Sequence, residues 1–194
     1  MKKDIILAGV GGQGILSIAS VIDMAALKSG LSVKQSEVHG MSQRGGAVHC
    51  HLRISDQNIY SDLIGLGNAD IIISVEPLEA LRYLPYLHKN GQIVSSVNFF
   101  KNFDDYPDES EIINELNKIP NVTLVDADQI ARDCGNVKAS NMVILGAALP
   151  FIGIAQHWVE ESITEIFKSK GQNIVELNIN ALKKGINSNK KIKL

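Results

Sequence analysis

Cysteine is scarce in this sequence: the 194-residue chain has two, Cys50 and Cys134, far apart and without a C-x-x-C pair. Two separated thiols cannot supply the four ligands of a typical iron–sulfur cluster or structural zinc site. Both are expected in the core, where free cysteine is commonly found. Charge of one sign is lacking too, with 19 basic residues against 21 acidic ones. That balance offers no basic field to nucleic acid or to an anionic membrane, so neither is expected as a partner. The lysines of "NSNKKIKL" gather only at the end, which reads as a basic solvated tail over 187–194. No stretch approaches the roughly 18 apolar residues of a membrane span. The opening "MKKDIILAGVGG" starts like a signal peptide, but Asp4 interrupts it, its apolar run is short, and no A-x-A-like site follows. A cytoplasmic location is expected. Repeats and low-complexity linkers are absent as well, so residues 1–186 read as one domain.

What is present has the rhythm of an α/β protein. Ile5, Ile6, Leu7 and Ala8 read as a fully buried strand over 4–8, and a glycine turn leads into a helix over about 14–29. Ile15, Ile18, Ala19, Ile22 and Ala26 give that helix an apolar stripe at spacings of three and four. "LSVKQSE" is read as a second strand, making a right-handed β-α-β opening. "AVHCHLRIS" alternates Val48, Cys50, Leu52 and Ile54 with His49, His51 and Arg53, the pattern of a half-buried strand. "IYSDLI", after the turn "SDQN", is expected to return as its hairpin partner. "ADIIISV", "GQIVSSV" and "VTLVDA" are further strands. "EPLEALRYLPYLHKNG" reads as one helix from Pro77 to Gly91, and "DESEIINELNKI" as a short amphipathic one. Residues 140–156 are an apolar helix that Pro150 bends or ends, and two closing helices, 159–171 and 173–185, each stop at a glycine. The expected fold is a single Rossmann-like α/β domain with a mostly parallel sheet flanked by helices and an inserted loop and hairpin.

Two stretches carry the chemistry. The first, "GVGGQG", spells G-x-G-x-x-G between a strand and a helix. Gly9 would permit the tight turn, Gly11 backbone approach to a ligand, and Gly14 close strand–helix packing, while the helix N-terminus attracts an anion. A dinucleotide site also wants an acid about 20 residues on, and Glu37 meets that requirement loosely. Gly12 and Gln13 add a fourth glycine and an amide, so the glycines equally suit packing and interface contact. The second stretch is "SEVHGMSQRGGAVHCHLR". Gly40, Gly45 and Gly46 free the backbone around Gln43, a two-way hydrogen-bonder, and Arg44, a planar fork for carboxylate or phosphate. A sheet-edge loop with Arg44 paired to a nearby acid fits the same residues. His39, beside this loop, is read either as a proton carrier or as a satisfied loop histidine. His49 and His51 share a strand face but have no evident third metal ligand. Asn141 is read as a helix cap.

Together, "GVGGQG", "SEVHGMSQRGG…HLRIS", "ADIIISVEPLEALR", "SNMVILGAAL" and "VELNINALKKG" resemble the gamma-type subunit or domain of the 2-oxoacid:ferredoxin oxidoreductases. The resemblance covers nearly all the chain in the expected order. Pyruvate and 2-oxoglutarate members tend to carry a G-x-E-x-R-G-G-like loop, whereas "HGMSQRGG" is similar to the branch acting on aryl-2-oxoacids such as indolepyruvate. It implies a subunit of an enzyme that oxidatively decarboxylates a 2-oxoacid, with coenzyme A as co-substrate and ferredoxin as acceptor. Thiamine diphosphate and the iron–sulfur clusters are then expected in a larger alpha subunit, with no cofactor bound tightly by this chain alone. The residues agree, since no G-D-G…N-N stretch of the thiamine-diphosphate kind is present. On this reading His39, Gln43 and Arg44 are expected at the chemistry, with Gly9, Gly11, Gly12, Gln13, Gly14, Gly45 and Gly46 on the coenzyme side. Three other readings stay open: another 2-oxoacid enzyme's gamma-type subunit, a stand-alone NAD- or nucleotide-binding protein, or a purely structural assembly subunit with no residue near the chemistry.

Overall fold

The computed structural model describes residues 1–40 and 45–188. Six strands form one sheet: β1 (Lys2–Val10), β2 (Ser32–His39), β3 (Ala47–Ser55), β4 (Ala69–Ser74), β5 (Leu87–Ser96) and β6 (Val122–Val125), in the order β2-β3-β1-β4-β5-β6. β1, β4, β5 and β6 run parallel, and β3 is antiparallel to both β1 and β2. Continuous apolar runs mark strands buried on both faces, and β1 and β4 occupy the middle of the sheet accordingly. Side chains of a strand alternate between faces. Ile5 and Leu7 therefore enter one core, and Ile6 and Ala8 the other.

The larger core lies under α1 (Ile15–Lys28), α4 (Ala127–Asp133), α5 (Ser140–Ile152), α6 (Gln156–Phe167) and α7 (Gln172–Ser188). The smaller lies under α2 (Pro77–Arg82) and α3 (Glu109–Asn117). At the contact of α5 with α7, a Cβ on Gly146 would collide with the Leu182 carbonyl oxygen, and one on Gly185 with that of Val143. Both positions need hydrogen for the two backbones to lie this close. Among the described residues, no helix is long and apolar enough to cross a membrane.

Several expectations need correction. β2 runs in the same direction as β1 but does not touch it, because β3 lies between them. The inserted antiparallel pair is therefore β2 with β3, and "IYSDLI" is not a strand. That segment is irregular and lies over the sheet, held by Arg53, whose Nη1 donates to the Ser61 and Leu63 carbonyls at 3.0 and 3.1 Å. The helix expected over 76–91 ends at Arg82, and β5 begins at Leu87. Pro85 explains the break, since it lacks an N–H and disfavours helical backbone just before it. Gly91 lies inside β5, where the register against β4 shifts. The apolar helix α5 stops at Ile152 rather than at 156, with Pro150 in its last turn, and α6 starts three residues before the expected 159. Gly185 does not stop α7, which continues to Ser188. α4 is an addition to the expected elements; Asp126 caps it by accepting from the Gln129 N–H at 3.1 Å.

Candidate functional site

After β1 the chain passes to α1 on one face of the sheet, and after β4 to α2 on the other. The carboxyl ends of β1 and β4 thus flank a topological switch point, the place where open α/β sheets bind ligands. The glycine turn sits there. Gln13 closes it from within: its backbone N–H donates to the Val10 carbonyl at 3.1 Å, and its Oε1 accepts from the Val10 N–H at 2.8 Å. Gln13 therefore holds the turn's shape. Gly14 has a φ of 79°, left-handed backbone that favours glycine, and its carbonyl accepts the first α1 hydrogen bonds from Ser17 and Ile18. Gly9 packs against Val75 at the end of β4 and against Ile15, with no room for a side chain.

The second stretch folds onto the first. The Gly11 N–H donates to the Gly46 carbonyl at 2.8 Å, and the Gly45 N–H to the Gly11 carbonyl at 3.5 Å. Asn102 Nδ2 fastens the Gly45 carbonyl from the far side at 2.6 Å. Gly11, Gly12 and Gly14 line a cavity of about 570 Å³ with Leu16, His39 and Gly40. His39 ends β2, with its Nε2 3.1 Å from Glu37 Oε2. Gln43 and Arg44 lie outside the described residues. A second cavity of about 410 Å³ opens behind the turn, lined by Ser17, Lys138, Ser140 and Lys170. The N-termini of α1 and α5 both meet it, so helix dipoles and two lysines favour anions there.

Some anchors had no visible signal. Asn141 is not the cap of α5, a place taken by Ala139. Its Nδ2 instead donates to the Gly14 carbonyl at 3.2 Å, tying α5 to the glycine turn. His49 and His51 are not on a solvated face either. His49 Nδ1 lies 2.9 Å from the Tyr83 hydroxyl, and buried His51 accepts the Ile64 N–H at Nδ1 across 3.1 Å. Burial lowers both imidazole pKa values, and for His49 the neighbouring His51 adds to it. Among the described residues no group of three or more His, Cys, Asp or Glu could hold a metal ion. Cys50 is wholly buried, and that burial pushes its thiol pKa up, so it is no nucleophile. Burial also raises the carboxyl of Glu76 and, with Glu37 adding to it, lifts that of Asp23 to about 7.

The dinucleotide reading fails on strand order. In a dinucleotide-binding unit the acid ends the strand beside the glycine turn. Here β3 intervenes, which puts β2 and Glu37 two strand spacings from β1, about 10 Å, instead of one. Its carboxylate is also engaged by Gln35 and His39.

Comparison with known proteins agrees with this geometry. Residues 4–188 match the family described as Pyruvate ferredoxin/flavodoxin oxidoreductase. The chain is 43% identical to a protein of Archaeoglobus fulgidus named Indolepyruvate oxidoreductase subunit IorB, over 96% of this chain and 95% of that one. It is 35% identical to the protein of the same name from Thermococcus kodakarensis, over 99% and 98%. Among solved structures, pyruvate oxidoreductase subunit PORC of Thermotoga maritima shares the fold with a TM-score of 0.74 at 21% identity, over 96% of each chain. The 2-oxoglutarate:ferredoxin oxidoreductase of Magnetococcus marinus gives 0.76 at 22% identity; 97% of this chain covers 31% of that longer one.

Proposed function

The chain belongs to the pyruvate ferredoxin/flavodoxin oxidoreductase family, and from that premise we propose that it is the beta-type subunit of an indolepyruvate oxidoreductase. The near full-length likeness to the IorB subunits carries this reading. Its reaction is the oxidative decarboxylation of aryl-2-oxoacids, with coenzyme A taking the acyl group and ferredoxin the electrons, in the cytoplasm. Thiamine diphosphate and iron–sulfur clusters of a larger alpha subunit supply the decarboxylation and the electron path. The donors of this chain do not suit a cluster, because Cys50 is sealed in the core and no described cluster of ligands accompanies Cys134.

What this chain contributes is a shaped wall. The glycine turn and the 45–46 segment, hydrogen-bonded to one another, present backbone and His39 at the carboxyl ends of the strands. Lys138, Lys170, Ser17 and Ser140 would receive the phosphates of coenzyme A at the neighbouring helix N-termini. Arg44, next in sequence to Gly45, supplies a planar fork for a carboxylate or phosphate at the interface. The test is reconstitution with the larger subunit, following coenzyme-A-dependent dye reduction with indolepyruvate, pyruvate and 2-oxoglutarate. Indolepyruvate is expected to lead. Full turnover without this chain, or pyruvate as the better substrate, overturns the reading. Arg44→Ala is expected to lower turnover by roughly 30- to 1000-fold, as when an oxyanion donor is lost, and Arg44→Lys to recover part of it.

A further inference from the structure

Alternation along β2 places Gln35, Glu37 and His39 on one face, the same face on which Val33 packs into the core beneath α1. We propose that Glu37 is a positioning residue for His39, holding the ring through Nε2 and leaving Nδ1 as the nitrogen available to a ligand in the cavity at the glycine turn. The proposal rests on the reading that this cavity faces the substrate-bearing partner.

Each oxygen of the Glu37 carboxylate has its own donor: Gln35 Nε2 donates to Oε1, and His39 Nε2 lies 3.1 Å from Oε2. With both oxygens engaged, the carboxylate cannot turn without losing one bond. Its backbone is held as well, since Glu37 stands opposite fully buried Cys50 in the β2–β3 ladder. An ionised carboxylate only accepts, so Nε2 must carry the hydrogen. In the neutral ring the other nitrogen then bears the lone pair, because the partner of one imidazole nitrogen sets the state of the other. His39 lines the cavity with Gly11, Gly12, Gly14, Leu16 and Gly40, none of which is titratable. Nδ1 therefore accepts a hydrogen bond from an N–H, O–H or S–H group of the ligand. Two further titratable groups face the same carboxylate, Asp23 from α1 and Cys50 from β3, and both respond to the charge on Glu37. An exposed pair of this kind adds little stability. Its effect is on which tautomer the histidine presents.

Two measurements test this. In the full chain labelled with 15N-histidine, with His39 assigned through His39→Gln, the neutral ring is expected as the Nε2–H tautomer. Glu37→Ala should give mixed tautomers, and Glu37→Gln, which keeps a carbonyl acceptor, a partial return. In the enzyme reassembled with its larger subunit, Glu37→Ala should lower kcat/KM for indolepyruvate by about tenfold, the scale seen when the carboxylate orienting a histidine is lost. In a His39→Gln background the same substitution should change it less than twofold, because residues that act through one another are not additive. An unchanged tautomer in Glu37→Ala, or two fully additive losses, overturns the proposal. If the assembled enzyme turned over no aryl-2-oxoacid, the functional reading would fall, and the tautomer result would still decide the positioning.

Discussion

Asp23→Asn should stabilise the protein, increasingly so as pH rises. Asp23 projects from α1, and its Oδ1 is buried without a hydrogen-bond partner. Burial, with the charge of Glu37 adding to it, lifts the carboxyl from 3.8 to about 7. The folded state therefore keeps the proton over a range in which the unfolded chain has released it. Stability from this proton is fully present below the unfolded value of 3.8 and is lost as pH rises through about 7. Each pH unit separating the folded and unfolded values is worth about 1.4 kcal/mol, so the whole loss would be about 4 kcal/mol. Partial exposure of the side chain lets water screen the charge, which reduces the figure to about 2 kcal/mol. Asparagine has nearly the same shape and cannot ionise, so the variant escapes the loss, while any effect of its amide group is the same at every pH. Urea unfolding at pH 5, 6, 7 and 8 separates the two effects. The difference between variant and wild type should widen by about 1 kcal/mol or more across that series. A difference that stays flat, or one that narrows towards pH 8, would refute the buried-carboxylate argument.

Gly185→Ala drives a methyl group into the Val143 carbonyl at the contact of α5 with α7. It should cost about 1–3 kcal/mol, seen as a lowered Tm in calorimetry, and an unchanged Tm would mean that the helices part freely. Asn141→Ala leaves the Gly14 carbonyl without its side-chain donor and should destabilise by about 1–2 kcal/mol while the fold persists by circular dichroism. His51 must lose the Ile64 hydrogen bond to accept a proton at Nδ1, and its pKa lies below 6.5. Since the unfolded chain binds the proton first, native stability from the neutral ring is present above 6.5 and falls away as pH drops below it. The protection factor of the Ile64 amide in hydrogen exchange should fall over that range, and should stay level in His51→Gln.

Legibility followed the physical reach of each signal. The burial of β1 and β4 is written in their own residues, because a strand covered on both sides needs apolar side chains at every position. The alternation in "AVHCHLRIS" reveals a strand, and the strand is there, but it is not half-buried: His51 and Ser55 on its polar face are buried and no residue of β3 is exposed. It does not say which strand lies alongside, so the pattern points to the next segment in sequence as the partner of β3, where the structure has β1 and β2. That one pairing decides the ligand question, since inserting β3 separates Glu37 from the glycine turn and removes the dinucleotide geometry. Glycine misled for a related reason. Gly185 at a helix contact and Gly30 at a helix end look alike in sequence, and only the Val143 carbonyl on a neighbouring helix tells them apart. The glycine turn was readable because its backbone demands glycine locally. Its tethers were not: Asn141 reaches the Gly14 carbonyl and Asn102 the Gly45 carbonyl across sequence separations of 127 and 57 residues. A carbonyl is the same on every residue, so no choice of side chain at positions 14 or 45 records the partner. Backbone hydrogen bonds of Gly11 with Gly45 and Gly46 join the two glycine-bearing stretches, and the two asparagines fasten them to α5 and to the segment after β5. The joined backbone, more than any single side chain, is what the rest of the enzyme would meet.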